Sequence, residues 1–180
     1  DNCTIINNHE LIPLVLDNIA IKFNMLQKET TYYNIISPDA GANKKANSLV
    51  KHLSGVTESS NPYLIVDANG LFSGEDQLIK CDKTRDVETG KLTGFEVYAD
   101  DLKGRKCIIV DDICDGGGTF LGLALELKEG GAKSITLFIT HGIFSKGIDV
   151  LLGGSLIDTV YTTDSLPTEF EHPNFFKLTL

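Results

Sequence analysis

The residues best equipped for chemistry in this chain form one run, Asp111-Asp112-Ile113-Cys114-Asp115-Gly116-Gly117-Gly118-Thr119. Two adjacent carboxylates repel each other, and such a pair is poorly tolerated unless a cation or a hydroxyl-bearing ligand uses it. A sugar diol suits the pair, because a carboxylate accepts hydrogen bonds from two neighbouring hydroxyls. Beyond the pair, Asp115, Gly116, Gly117, Gly118 and Thr119 lead into a predicted helix. Three glycines without side chains let backbone N–H groups approach an anion closely. Thr119 adds a hydroxyl donor, and the helix dipole favours negative charge at that end. The pattern is neither the GxGxxG of dinucleotide folds nor the GxxxxGK[ST] of P-loops.

A loop of this kind needs a strand to deliver it and a helix to receive it. Lys106-Cys107-Ile108-Ile109-Val110 is a continuous apolar run, as expected for a strand buried on both faces. A helix is predicted over residues 119–129, closed by Gly130-Gly131, with a strand over 134–140 and a further helix over 144–152. Residues 10–23 carry apolar groups at helical spacing, with Pro13 in the first turn. Residues 33–37 read as a strand running into the turn Ser37-Pro38-Asp39-Ala40-Gly41. Ala42, Ala46, Leu49, Val50 and Leu53 then form one stripe of a helix. Residues 63–66, 77–81, 157–161 and 176–180 complete the strands. The charged stretch 82–94 is expected to be a mobile loop or an exposed hairpin. Strands alternating with helices at this rhythm imply one α/β domain over residues 1–180, a three-layer, mainly parallel sheet with helices on both faces.

Composition narrows the function classes. The 180 residues carry 16 Lys and Arg against 25 Asp and Glu, a net charge of -9. That balance argues against non-specific nucleic-acid or anionic-membrane binding, both of which need a basic footprint. Any phosphate site must therefore be built locally. No run approaches the ~18 apolar residues of a membrane span. Cys3, Cys81, Cys107 and Cys114 show no CxxC or CxxH spacing, which points to reduced thiols in a cytoplasmic setting without zinc. His9, His52, His141 and His172 offer no metal-ligand spacing either, and His141 is read as structural.

The run from Ile108 to Thr119 resembles the phosphoribosyl-pyrophosphate (PRPP) motif of type I phosphoribosyltransferase-like proteins. Other stretches narrow the resemblance to ribose-phosphate pyrophosphokinase, also called PRPP synthetase. Ser37-Pro38-Asp39-Ala40-Gly41 is similar to that family's SPD-x-G turn. Asp82-Lys83-Thr84-Arg85 resembles its flexible catalytic loop, Thr140-His141-Gly142-Ile143-Phe144-Ser145 its THG-x-x-S segment, and Thr162-Thr163-Asp164-Ser165 its phosphate-contacting turn. Four motifs occur in the family's order across nearly the whole chain.

The resemblance implies transfer of the diphosphoryl group of ATP to ribose 5-phosphate, yielding PRPP and AMP. On that reading Asp111 and Asp112 bind the ribose hydroxyls, while Asp115, Gly116, Gly117, Gly118 and Thr119 hold the 5-phosphate. Lys83 and Arg85 are the catalytic pair, Arg85 also reaching the ribose phosphate. Asp39, Ala40 and Gly41 face the diphosphate, and Asp39 helps bind Mg²⁺ as the cofactor. Ala42 replaces the family's usual second glycine, and its methyl is expected to narrow backbone approach to a phosphate. The match covers the second of the family's two α/β halves, so Asp1 is read as the interior of a longer chain lacking its N-terminal domain. The intact protein is expected to form dimers or hexamers. A non-catalytic synthetase-associated regulator and a nucleobase phosphoribosyltransferase are the alternative readings.

Overall fold

The apolar run at residues 106–110 lies at the centre of the protein. The structure is a computed structural model that describes residues 33–44, 46–47, 50, 78–85, 87–88, 92–99 and 101–179. The expected helix at 10–23, the strand at 63–66, and Cys3, Leu49 and Leu53 lie outside the described residues. In chain order the strands are β1 (Tyr33–Ser37), β2 (Leu78–Arg85), β3 (Leu92–Val97) and β4 (Lys106–Cys114), then β5 (Ser134–Gly142), β6 (Thr159–Thr163) and β7 (Phe175–Leu178). Helix α1 (Gly118–Glu129) joins β4 to β5, and the short α2 (Asp149–Leu152) lies between β5 and β6.

The strands form one sheet of order β3-β2-β1-β4-β5-β6-β7. Every neighbouring pair is parallel except the edge pair β2 and β3. Cys107, Ile108, Ile109 and Val110 are each 3% exposed or less, so β4 is covered on both sides. Alternate residues divide between the faces, as strand geometry requires. Ile36, Ile109, Ile135, Leu137, Ile139 and Val160 pack with Phe120, Leu123, Ala124 and Leu127 of α1 and with Ile148, Leu151 and Leu152 around α2. Ile35, Ile108 and Phe138 are equally buried but belong to the other face. Asn43, Lys44, Ala46, Asn47 and Val50 are helical, and the buried Ala42, Ala46 and Val50 lie outside the α1 cluster.

The chain runs from β1 to β2 in one direction across the sheet, and from β4 through β7 in the other. Right-handed crossovers in opposite directions put their helices on opposite faces. The strand order reverses between β1 and β4. In an open α/β sheet, that reversal opens a crevice at the carboxyl ends of the strands.

One expected element resolves into one of its two alternatives, and another takes a different form. Of the loop and hairpin expected at residues 82–94, the structure has the hairpin: β2 continues to Arg85 and pairs with β3, with a register shift between Thr84 and Arg85. Phe95 explains the order, since its ring is buried and lies 3.0 Å from where a Cβ on Gly122 of α1 would sit. The expected helix at 144–152 shrinks to α2, because Phe144 (φ 46°) and Gly147 (φ 81°) are left-handed and cannot propagate a right-handed helix. Burial pushes the thiols of Cys81, Cys107 and Cys114 up to about 12, leaving them as small packed hydrophobes.

Candidate functional site

The reversal between β1 and β4 brings the predicted residues together. β1 pairs with β4 only as far as Ile36 opposite Ile109. β4 runs on through Asp111, Asp112 and Ile113 to Cys114, paired on its other side with β5 up to Cys114 opposite Gly142. β4 therefore carries Asp111 and Asp112 past its β1 partner to the edge of the crevice, where Asp111 senses the charge of Asp39 in the turn that follows β1. In that turn the Asp39 carboxylate accepts the N–H of Ala42 at 3.0 Å. Lys83 of β2 reaches across to the same carboxylate, with Nζ 2.5 Å from Oδ2, and both side chains are only partly exposed. Ala40 and Gly41 are exposed at the turn.

The β2–β3 register explains the orientation of Lys83. It lies opposite the buried Phe95, and residues directly opposite in an antiparallel pair share a face. Lys83 thus follows Cys81 on the α1 side of the sheet. Arg85 ends β2 beyond the register shift, opposite Leu92.

The electrostatics of the crevice are those of crowded carboxylates. Burial pushes Asp111 up to about 6, reinforced by its contact with Asp112 and by the charge of Asp39. Its Oδ1 accepts the N–H of Asp112 at 2.9 Å, which opposes the rise only in part. Asp39 moves the other way. Burial would raise it, but the hydrogen bonds from Lys83 and Ala42 and the charge of Lys83 together hold it below the ordinary carboxylate range.

After Cys114 the chain turns through Asp115, Gly116 and Gly117 into α1. Gly117 is the N-cap, with φ 77°, and no side chain caps the helix. A Cβ there would also lie 2.8 Å from the Leu151 side chain, so glycine is required twice over. A Cβ on Gly118 would meet nothing within 4 Å, leaving a gap over the first turn of the helix. The loop and the uncapped N-terminus form a concavity of amide dipoles suited to an anion. Thr119 is half-buried in that first turn, and Asp115 is exposed beside it.

The Ala42 methyl does not narrow this crevice. Ala42 is 2% exposed, with its side chain in the core. Its N–H is held by Asp39 and so is not free for a phosphate.

Two further motifs meet at the ends of β5 and β6. The hydroxyls of Thr163 and Ser165 both donate to the Thr140 carbonyl, at 2.7 and 3.0 Å. His141 Nδ1 lies 2.8 Å from Ser165 Oγ. Gly142 lets the chain fold back, since a Cβ there would overlap the Phe144 ring. That ring is buried edge-on against Phe170 and Phe175.

Sequence reasoning missed Lys146, which follows the Thr140 to Ser145 segment directly. Its stem lies across the glycine loop, with Cε 3.2 Å and Nζ 3.7 Å from where a Gly116 Cβ would be. The one available signal was a lysine just past a recognised motif.

Sheet order, the crevice at the reversal and the glycine loop together define an α/β domain of the phosphoribosyltransferase-like type. The phosphoribosyl synthetase-associated domain matches over residues 76–179. The ribose-phosphate pyrophosphokinase of Hyphomonas neptunium is 32% identical over 158 residues, covering 87% of this chain and 42% of that protein. That of Mycoplasmopsis pulmonis is 32% identical over 155 residues, covering 84% and 41%. The crystal structure of phosphoribosylpyrophosphate synthetase from Mycobacterium smegmatis superposes with a TM-score of 0.65 at 26% identity, covering 92% of this chain and 45% of that one. The chain belongs to the phosphoribosyl synthetase-associated domain family. It spans less than half the length of these curated relatives.

Proposed function

We propose that this chain is the ribose-5-phosphate-binding half of a ribose-phosphate diphosphokinase, which converts ATP and ribose 5-phosphate to PRPP and AMP. The observation that carries the reading is the convergence at one crevice of Asp39, Lys83, Asp111 and Asp112 beside an uncapped glycine loop. It occurs in a chain similar to ribose-phosphate pyrophosphokinases over most of its length. Asp111 and Asp112 accept hydrogen bonds from the ribose hydroxyls and orient the sugar. The 5-phosphate sits on the amides of Gly116, Gly117 and Gly118 and on the Thr119 hydroxyl, with Asp115 at the rim. This orients the 1-hydroxyl toward the turn at Asp39, Ala40 and Gly41, where the diphosphate enters.

Transfer of such a group depends mainly on alignment and on neutralising charge at the moving oxygens. Lys83 supplies a compact positive charge for this, and Arg85 a planar fork. Before substrate arrives, Lys83 is neutralised by Asp39. An entering diphosphate competes for the ammonium.

Among the described residues no three His, Cys, Asp or Glu side chains group closely enough to hold a metal ion alone. Carboxylates do flank the crevice, and the upward push on Asp111 marks a place where added positive charge is favourable. This donor set fits Mg²⁺, which is often held by one or two carboxylates with water and substrate phosphates completing its shell. Asp39 would hold it, and the bound ion would neutralise the diphosphate.

The adenine side of the reaction is assigned to the part of a two-domain enzyme that this chain does not match. The intact protein would be cytoplasmic and oligomeric. Among the described residues no helix is long and apolar enough to cross a membrane. Isothermal titration of the chain with ribose 5-phosphate, alongside an assay of AMP release from ATP, tests the proposal. The expected result is ribose 5-phosphate binding with little or no AMP formed by the 180 residues alone. Absence of binding refutes the site, and rapid AMP formation refutes the division of labour.

A further inference from the structure

We infer that Lys146 is a phosphate-binding residue of this site, a cation held over Gly116 that reaches a sugar-phosphate anion on the glycine loop. The inference rests on the ribose-5-phosphate reading of the glycine loop and extends it to a residue outside that loop.

Three observations place the lysine. First, its Cδ, Cε and Nζ lie 3.5, 3.2 and 3.7 Å from the position a Gly116 Cβ would take, so the stem crosses the loop where Gly116 lacks a side chain. Second, the backbone carrying Lys146 is pinned to the strand that delivers the loop. The N–H groups of Ile143 and Phe144 both donate to the Cys114 carbonyl, at 2.9 and 3.2 Å, and the N–H of Gly147 closes the turn on Phe144 O at 2.8 Å. The left-handed Phe144 anchors that turn, its ring held in the core by Phe170 and Phe175. Third, Lys146 forms no ion pair with any described residue, whereas Lys83 is already engaged by Asp39.

Charge supplies the reason for such a residue. The chain is acidic at -9, and the loop is bracketed by Asp111, Asp112 and Asp115. Amide dipoles favour an anion there, but the carboxylates oppose its approach. A lysine held at the rim offsets that repulsion and donates a charge-assisted hydrogen bond to a phosphate oxygen. The arrangement also gives Gly116 a purpose distinct from that of Gly117. Its φ is not left-handed, so what its missing side chain provides is passage for the Lys146 stem.

The test is calorimetric titration of ribose 5-phosphate, ribose and inorganic phosphate into the wild-type chain and into Lys146→Gln, Lys146→Arg and Gly116→Ala. Lys146→Gln should weaken ribose 5-phosphate binding roughly tenfold, the scale of one charge-assisted hydrogen bond. Its affinity should also depend less steeply on salt than that of the wild type. Lys146→Arg should restore most of the loss. Gly116→Ala, which displaces the stem without backbone strain, should fall between the two. Any binding of ribose should be unaffected. Equal affinity of wild type and Lys146→Gln for ribose 5-phosphate overturns the inference and leaves the assigned site standing. A wild-type chain that binds neither ribose 5-phosphate nor phosphate overturns both.

Discussion

Replacing Asp111 with Asn should make the protein more stable near neutral pH, and the gain should grow as pH rises. Burial, the neighbouring Asp112 and the charge of Asp39 push this carboxyl from 3.8 up to about 6. The folded protein therefore binds the proton more tightly than the unfolded chain. Stability from this group is fully present below 3.8 and is lost as pH rises through about 6. At about 1.36 kcal/mol per pH unit the full effect has a ceiling of about 3 kcal/mol. Asp111 is only partly buried, and solvent screening lowers this to about 1–2 kcal/mol. The substituted asparagine cannot ionise, yet its side-chain oxygen can still accept the Asp112 N–H that Asp111 holds at 2.9 Å. Urea unfolding of both proteins at about pH 4.5 and pH 7.5 measures the difference. The stability gap should widen in favour of Asp111→Asn by about 1 kcal/mol between those conditions. A gap independent of pH, or a variant less stable at pH 7.5, would refute the account of crowded carboxylates. A site that sacrifices stability in its empty state gains when a ligand relieves the repulsion, so the same measurement probes how the crevice is primed.

Two glycines should behave very differently from a third. Gly117→Ala combines a left-handed backbone with a Cβ 2.8 Å from Leu151, and should destabilise by about 2–4 kcal/mol in urea unfolding. Gly118→Ala meets nothing within 4 Å, so it should leave stability within about 1 kcal/mol of wild type while lowering phosphate affinity in titration calorimetry. At Gly142 a Cβ would overlap the Phe144 ring, and Ala there should expel that ring from its contacts with Phe170 and Phe175. The loss is expected at about 2–4 kcal/mol, accompanied by a changed near-ultraviolet aromatic circular dichroism signal.

Local pattern carried the strands and the glycine loop because their causes are local. An apolar run such as Cys107-Ile108-Ile109-Val110 leaves few alternatives to a strand covered on both faces, and the glycines after Asp115 leave few to a tight strand-to-helix turn. The alternation of strand and helix implied a mainly parallel sheet with helices on both faces, whereas the strand order and its reversal between β1 and β4 emerge only from the fold. What stayed hidden was set by partners distant in sequence. The charged residues 82–94 leave loop and hairpin both open, and Phe95 seated on α1 at Gly122 decides for the hairpin. Residues 144–152 have helical spacing, but Phe144 is drawn into a ring cluster with Phe170 and Phe175, and that contact imposes a left-handed backbone which shortens the helix to four residues.

The same distinction separates the two cations of the site. Lys83 was legible as a candidate because it sits in a recognised motif, but its ion pair with Asp39 joins residues 44 apart and has no sequence signal. That pair alters how the candidate roles must operate, since Lys83 is held by one of the site's own carboxylates. Lys146 had no motif at all. It reaches the glycine loop only because Gly142 allows Phe144 to fold back and because Cys114 O receives two N–H groups from the turn. The two lysines thus approach the proposed sugar-phosphate site from separate elements, one masked by Asp39 and one unpaired among the described residues. In the proposed reaction, a phosphorylated sugar would be met by the unpaired Lys146. Lys83, held by Asp39, would be released to the proposed diphosphate only when that second anion competes for its ammonium.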